Sequence, residues 1–150
     1  KFQKFIDRLR RRFSWVFLGI LKKQLMLKGI ITEQDWEEWK DNIYEISGTY
    51  PSDVCHQATF EDPANSAFWS FTVYNKAGFM FSDVANVSSD TATSNADGTY
   101  TVSFGCGQDA PNNLPTANES GEFTLAIRHY QPSDRVREEG YRLLPFVKPR

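Results

Sequence analysis

Along residues 1–28 the apolar positions recur every three or four residues: Phe2, Phe5, Ile6, Leu9, Phe13, Val16, Phe17, Ile20 and Leu21. That spacing gathers them into one stripe of an α-helix, with polar residues on the opposite face. Gly29 is placed to end the helix as a C-cap, and Lys28 lies in the last turn, where a cation complements the helix dipole. Thr32 then reads as the N-cap of a second helix. Glu33 and Asp35 stand in its first turn, and Trp36, Trp39 and Ile43 form its apolar stripe. For residues 1–46 the pattern predicts an αα-hairpin.

From Ser47 the period changes. "ISGTYPSD" is turn chemistry, and helical spacing does not return after it. In "FWSFTVY" Phe68, Ser70, Thr72 and Tyr74 share one face of a strand, and Trp69, Phe71 and Val73 share the other. "NKAG" turns the chain, and "FMF" at 79–81 is expected to start a partner strand. Asp97-Gly98 is a hairpin signal before "YTVSFG". In "EFTLAIRHY" Phe123, Leu125 and Ile127 point inward, with Thr124, Arg128 and Tyr130 opposite; Pro132 ends the strand. Short strands separated by polar loops rich in Pro, Asn and Gly predict a jelly-roll-like antiparallel sandwich over 47–150. The fold class is thus α+β, a helical hairpin followed by a β-sandwich.

Charge sharpens this division. Residues 1–28 hold nine basic residues against Asp7 alone, a balance of +8, so the remainder carries −10 to reach the total of −2. A basic arm or two pieces of different history produce such asymmetry. "FSWVFLGIL" at 13–21 is too short to span a bilayer, and no small-residue cleavage site follows it, so no membrane span or secretory leader is expected. Cys55 and Cys106 form neither a metal pattern nor a disulfide framework. In an oxidising compartment they could pair with each other; in a reducing one, the reading favoured here, they are two free thiols.

Candidate chemistry is sparse. His129 shares a face with Phe123, Leu125 and Ile127, the position of a core histidine rather than a base. His56 adjoins Cys55, but adjacency in sequence does not make a dyad. With Cys106 these residues match no common zinc spacing, so no metal or cofactor is expected. Acidic pairs such as Glu61-Asp62 and Glu138-Glu139 read as solvated surface. Arg128 is the charged side chain that stands out, because it sits mid-strand, where an unpaired charge is costly. It is either a structural ion pair or a fork for an anionic ligand or a partner's carboxylate. With Trp69, Tyr74 and Tyr130 it makes up the ligand or interface candidates. In "DRLRRRF", Arg8, Arg11 and Arg12 lie away from Leu9 and Phe13; they read as the outer face of an amphipathic helix, with nucleic-acid contact as the alternative.

Several of these motifs fall in the order typical of the family catalogued as domain of unknown function 1214. They are Phe68 to Tyr74, Asn95 to Thr99, Asn113 to Pro115 and Arg128 to Pro132, followed by the closing "YRLLPFVK". Residues 66–148 resemble that family, which implies a jelly-roll-like sandwich of undetermined function, often beside a second sandwich in larger bacterial and viral proteins. The chain departs from the family at "NVSSD" (86–90) and "NNLP" (112–115). Residues 4–43, with "LKGIIT" and the following "DW", resemble a segment near the C-terminal end of the portal proteins of T-even-like contractile-tailed phages and their marine relatives. These resemblances do not normally share one polypeptide; a recombined phage gene or a fusion would join them. The expectation is a phage-encoded, non-enzymatic structural or interaction module. Self-association or a virion protein is its expected partner, and the host cytoplasm or the virion its location. A ligand-binding protein or enzyme with a pocket at one end of the sandwich is the competing class.

Overall fold

The computed structural model describes residue 8, residues 15–34 and residues 42–150, with side chains of 15–18 left aside. The chain divides into two compact units, Lys1–Ile43 and Tyr44–Arg150. In the first, helix α1 spans Trp15–Leu27. Gly29 adopts φ +67°, the left-handed conformation of a C-cap, and its N–H donates to the Met26 carbonyl at 3.0 Å. Arg8 is helical and exposed; Arg11 and Arg12 lie outside the described residues. So do Trp36 and Trp39, and the second helix expected after Thr32 falls largely there as well. Ile43, which helical spacing assigns to that second stripe, belongs instead to strand β1, Asn42–Ile46. No described helix is long and apolar enough to cross a membrane.

The second unit is built from strands and two short helical turns. After β1 come β2 (Tyr50–Pro51), β3 (His56–Phe60), β4 (Phe68–Asn75), β5 (Asn86–Ser88), β6 (Tyr100–Phe104), β7 (Asn113–Leu114) and β8 (Glu122–Tyr130). Helix α2 (Asp134–Arg137), a 3₁₀ turn (Leu144–Phe146) and β9 (Val147–Pro149) close the chain. One sheet has the order β1-β8-β4-β5, with β2 also on β8; the other runs β7-β6-β3-β9. The β2–β8, β3–β6, β3–β9, β4–β5 and β4–β8 ladders are antiparallel, and β6 with β7 is parallel.

Alternation along the strands makes the core. Trp69, Phe71 and Val73 of β4 and Phe123, Leu125 and Ile127 of β8 meet Ala58, Phe60, Val102 and Phe104 of the other sheet in one buried cluster. Burying each large side chain contributes roughly 1.5–3 kcal/mol relative to leaving it in water. Rings pack edge to face within it: Trp69 lies 5.1 Å from Phe60 at 81° and 5.1 Å from Tyr100 at 77°.

Three local expectations are corrected. "FMF" does not begin a strand; the segment after Gly78 stays irregular until β5, and Phe79 and Met80 are exposed. A turn does form at Asp97-Gly98: Gly98 takes φ +85°, and Asp97 Oδ1 accepts from the Thr99 hydroxyl and N–H. Those two bonds, the hydroxyl's first, hold the Asp97 carboxyl below the ordinary carboxylate range. Yet the turn joins no two paired strands, because β6 pairs with β3 and β7 instead. Finally, Cys55 and Cys106 are not free thiols but a disulfide, with Cα atoms 4.7 Å apart. The β3–β6 register explains the meeting. It sets His56 opposite Phe104, and Gly105 at φ +67° then swings the next residue back toward Cys55.

Candidate functional site: an arginine among tyrosines

The β4–β8 ladder sets Ser70 opposite Arg128, Thr72 opposite Ala126, Tyr74 opposite Thr124 and Phe68 opposite Tyr130. Since side chains alternate, these positions share the face turned away from the core. Arg128 is half-buried there, and its long side chain leans along the neighbouring strand. Nη1 donates to Thr72 Oγ1 at 3.1 Å and Nη2 to the Tyr74 hydroxyl at 2.9 Å. Thr72 Oγ1 also accepts from Asn86 Nδ2 at 2.8 Å, which ties β5 into the same group. Tyr130 packs on Phe68 with ring centroids 4.4 Å apart.

Among the described residues no carboxylate pairs with Arg128. Burial works against its charge, but the Tyr74 hydroxyl, with the phenols of Tyr74, Tyr130 and Tyr44, outweighs that and holds the guanidinium above its ordinary value. Only two of its five N–H groups are used by these bonds. The Tyr74 oxygen accepts from Arg128, so its own hydrogen is free to point elsewhere. The group therefore offers donors and a positive charge, the chemistry that receives a carboxylate or phosphate.

Tyr74, Arg128 and Tyr130 are thus brought together, and Trp69 is not. Its position in β4 has the opposite parity, and it is 1% exposed inside the core. Its indole Nε1 is the single buried side-chain nitrogen or oxygen without a hydrogen-bond partner among the described residues.

A second polar constellation lies under the same sheet and includes a residue that pattern alone does not reveal. His129 is fully buried, as its strand parity predicts. Its Nε2 lies 2.7 Å from Glu45 Oε2, and its Nδ1 lies 3.0 Å from Asn65 Nδ2. Asn65 Oδ1 accepts from Ser133 N–H at 3.1 Å, so the amide nitrogen must face the ring. Nδ1 is then an acceptor, and the ring hydrogen sits on Nε2, donated to Glu45. Glu45 also accepts from Leu143 N–H with both oxygens at 3.0 Å and from Leu144 N–H at 2.9 Å. Four separated segments are bolted together by one chain of directed hydrogen bonds. The signal in the sequence was only an acid between two apolar strand positions, Tyr44 and Ile46.

His56 is likewise structural. Its Nδ1–H donates to the Val54 carbonyl at 2.8 Å, and its ring packs against Tyr50 and Phe123. With Cys55 in a disulfide, no Cys–His dyad exists there.

Two families match overlapping stretches of the chain. Residues 50–134 match the family described as "Protein of unknown function (DUF1214)", and residues 1–66 match "Bacteriophage T4-like portal protein (Gp20)". The portal protein of Salmonella phage ViI is 50% identical over 38 residues, 25% of this chain and 7% of that protein. The portal protein of Vibrio phage KVP40 is 39% identical over 46 residues, 31% of this chain and 9% of that protein. The chain therefore spans less than a tenth of the portal proteins it matches. Among solved structures, the VPA0106 protein from Vibrio parahaemolyticus superposes with a TM-score of 0.62 at 24% identity, covering 73% of this chain and 31% of that one. A putative uncharacterized protein from Burkholderia cenocepacia gives 0.56 at 18% identity, covering 73% and 29%. Those two likenesses establish a shared fold.

Proposed function

Because the chain belongs to the family of proteins of unknown function catalogued as DUF1214, with a phage portal-like segment before it, we propose that it is a phage-related interaction module that receives an anionic group at Arg128. The β-sandwich serves as the rigid support, and the carboxylate of a virion protein or of a second copy is the intended partner. One observation carries this: a half-buried guanidinium held only by hydroxyls, ringed by tyrosines, with no carboxylate among the described residues. Arginine and tyrosine are the residues enriched where proteins meet. The Cys55–Cys106 disulfide supports a place outside a reducing cytoplasm, as on a virion surface.

The test is a titration with a glutamate-rich peptide, following the Arg128 Nε–H resonance by NMR. A saturable shift that disappears in Arg128→Gln is expected. No saturable shift at millimolar peptide would overturn the reading. Strong binding of a DNA oligonucleotide that Arg128→Gln leaves untouched would move the function to the basic segment around Arg8 instead.

A further inference from the structure

The outer face of the smaller sheet carries a second polar surface, built without Arg128. Gln57 and Thr59 alternate with the inward Ala58 and Phe60 of β3, so they form a polar floor. Gln57 Nε2 donates to Ser103 Oγ at 3.0 Å, and the Thr59 and Thr101 hydroxyls lie 2.8 Å apart. Each bond fixes a side chain; Ser103 is fully buried, so the half-buried Gln57 and the exposed Thr59 are the groups turned to a ligand. Two open troughs run over this floor and share Thr59 and Phe146. One, of 340 Å³, continues to Lys148 and Arg150; the other, of 290 Å³, continues to Glu61, Arg135 and Tyr141. Phe146 is 37% exposed between them, and its ring lies 5.9 Å from that of Tyr141.

Charge along the trough is uneven. Arg135 is occupied, with Nη2 2.7 Å from Glu61 Oε2 and its guanidinium 4.0 Å from the centroid of the Tyr141 ring. Lys148 and Arg150 have no acidic partner among the described residues. β9 pairs with β3 only at residues 56–58, so the β3 main chain is used on both sides there and on the β6 side alone at Thr59 and Phe60. The side chains offered to a ligand here are hydroxyls and an amide, an aromatic ring and two cations. We infer that this trough binds an acidic oligosaccharide, one whose sugar ring rests its C–H face on Phe146 while a carboxylate meets Lys148 and Arg150. A sugar is favoured over a peptide because it brings both a row of hydroxyls for Gln57 and Thr59 and a flat C–H face for the exposed ring of Phe146.

The experiment is a titration of the full chain with galacturonate oligomers and, separately, with neutral maltose oligomers and a polyglutamate peptide, read by amide shifts in NMR. Galacturonate oligomers are expected to shift Gln57, Thr59, Phe146 and Lys148, and neutral oligomers to leave them unmoved. Lys148→Glu and Phe146→Ala, both at exposed positions, are each expected to weaken binding about tenfold or more, equivalent to roughly 1.4 kcal/mol. Arg128→Gln is expected to leave it unchanged, which separates this site from the one proposed above. The inference is overturned if galacturonate oligomers give no shifts at these residues, if Lys148→Glu binds as the parent does, or if polyglutamate shifts them with equal affinity.

Discussion

The directed hydrogen-bond chain through His129 makes an unusual prediction about a near-isosteric change. Glu45→Gln keeps volume and shape but replaces one carboxylate oxygen by an N–H₂ group. If that nitrogen takes the Oε1 position it faces the N–H groups of Leu143 and Leu144; if it takes the Oε2 position it faces the Nε2–H of His129 and the N–H of Leu143. The imidazole cannot accommodate the second placement by moving its hydrogen to Nδ1. That would set N–H against the Asn65 amide, and turning the amide would set it against Ser133 N–H. The conflict therefore travels to the end of the chain, and one buried donor is left without an acceptor wherever the amide settles. Glu45→Gln is expected to cost about 2–4 kcal/mol, from the desolvation of one or two orphaned donors. Glu45→Ala, which strands three, costs about 3–5 kcal/mol.

Transplanting the acceptor should rescue the amide. In Glu45→Gln with Asn65→Asp, the new carboxylate accepts from both Ser133 N–H and an imidazole hydrogen on Nδ1, and Nε2 becomes free to accept from the glutamine. Urea denaturation followed by tryptophan fluorescence should show the double variant recovering at least about half of the single variant's loss, an interaction between contacting groups of the usual size. Long-range ¹H–¹⁵N spectra of the imidazole give the direct readout: Nε2–H in the parent, Nδ1–H in the double variant. Stability of Glu45→Gln within about 0.5 kcal/mol of the parent, the size of an ordinary surface change, would refute the reasoning. So would a double variant that still carries its ring hydrogen on Nε2.

Reducing the disulfide removes a cross-link between residues 51 apart, which by loop-closure entropy costs about 4 kcal/mol. Urea midpoints measured with and without reductant check this, and a loss under about 1 kcal/mol would show that the cross-link constrains little. Gly105→Ala should destabilise by about 2–4 kcal/mol: its φ of +67° disfavours a side chain, and the new Cβ would collide with Thr116 Oγ1, which donates to the Ser52 carbonyl. Thermal unfolding of that variant beside Thr116→Val distinguishes the backbone strain from the lost hydrogen bond.

Much of the β domain was legible because strand parity is a local property. The two-residue alternation in "FWSFTVY" set Trp69, Phe71 and Val73 on the face opposite Tyr74, and that in "EFTLAIRHY" set Leu125 and Ile127 inward with Arg128 and Tyr130 opposite; the ladder keeps those faces, and the core takes Trp69, which the candidate group had joined to Arg128. Where several contexts suit the same local chemistry, the reading slipped. "FMF" has strand propensity, yet it lies on an exposed connection; Ile43 fits a helical stripe by spacing, yet lies in β1. Asp97-Gly98 turns as its residues dictate, but a turn does not specify which strand will lie beside the one that follows.

By itself, then, the sequence determined the periods, the faces and the turn residues of the β-rich part, because each depends on residues within a few positions of one another. Pairings across long separations belonged to the tertiary structure alone. Cys55 meets Cys106 because β3 pairs with β6, and Glu45 meets His129, 84 residues away, together with the N–H groups of Leu143 and Leu144. A buried acid and a buried histidine each look like isolated liabilities in sequence. Only the packing of β1, β8 and the C-terminal turn supplies the partners that make them stable, because hydrogen bonding in a dry interior is decided by which groups the fold brings within 3 Å.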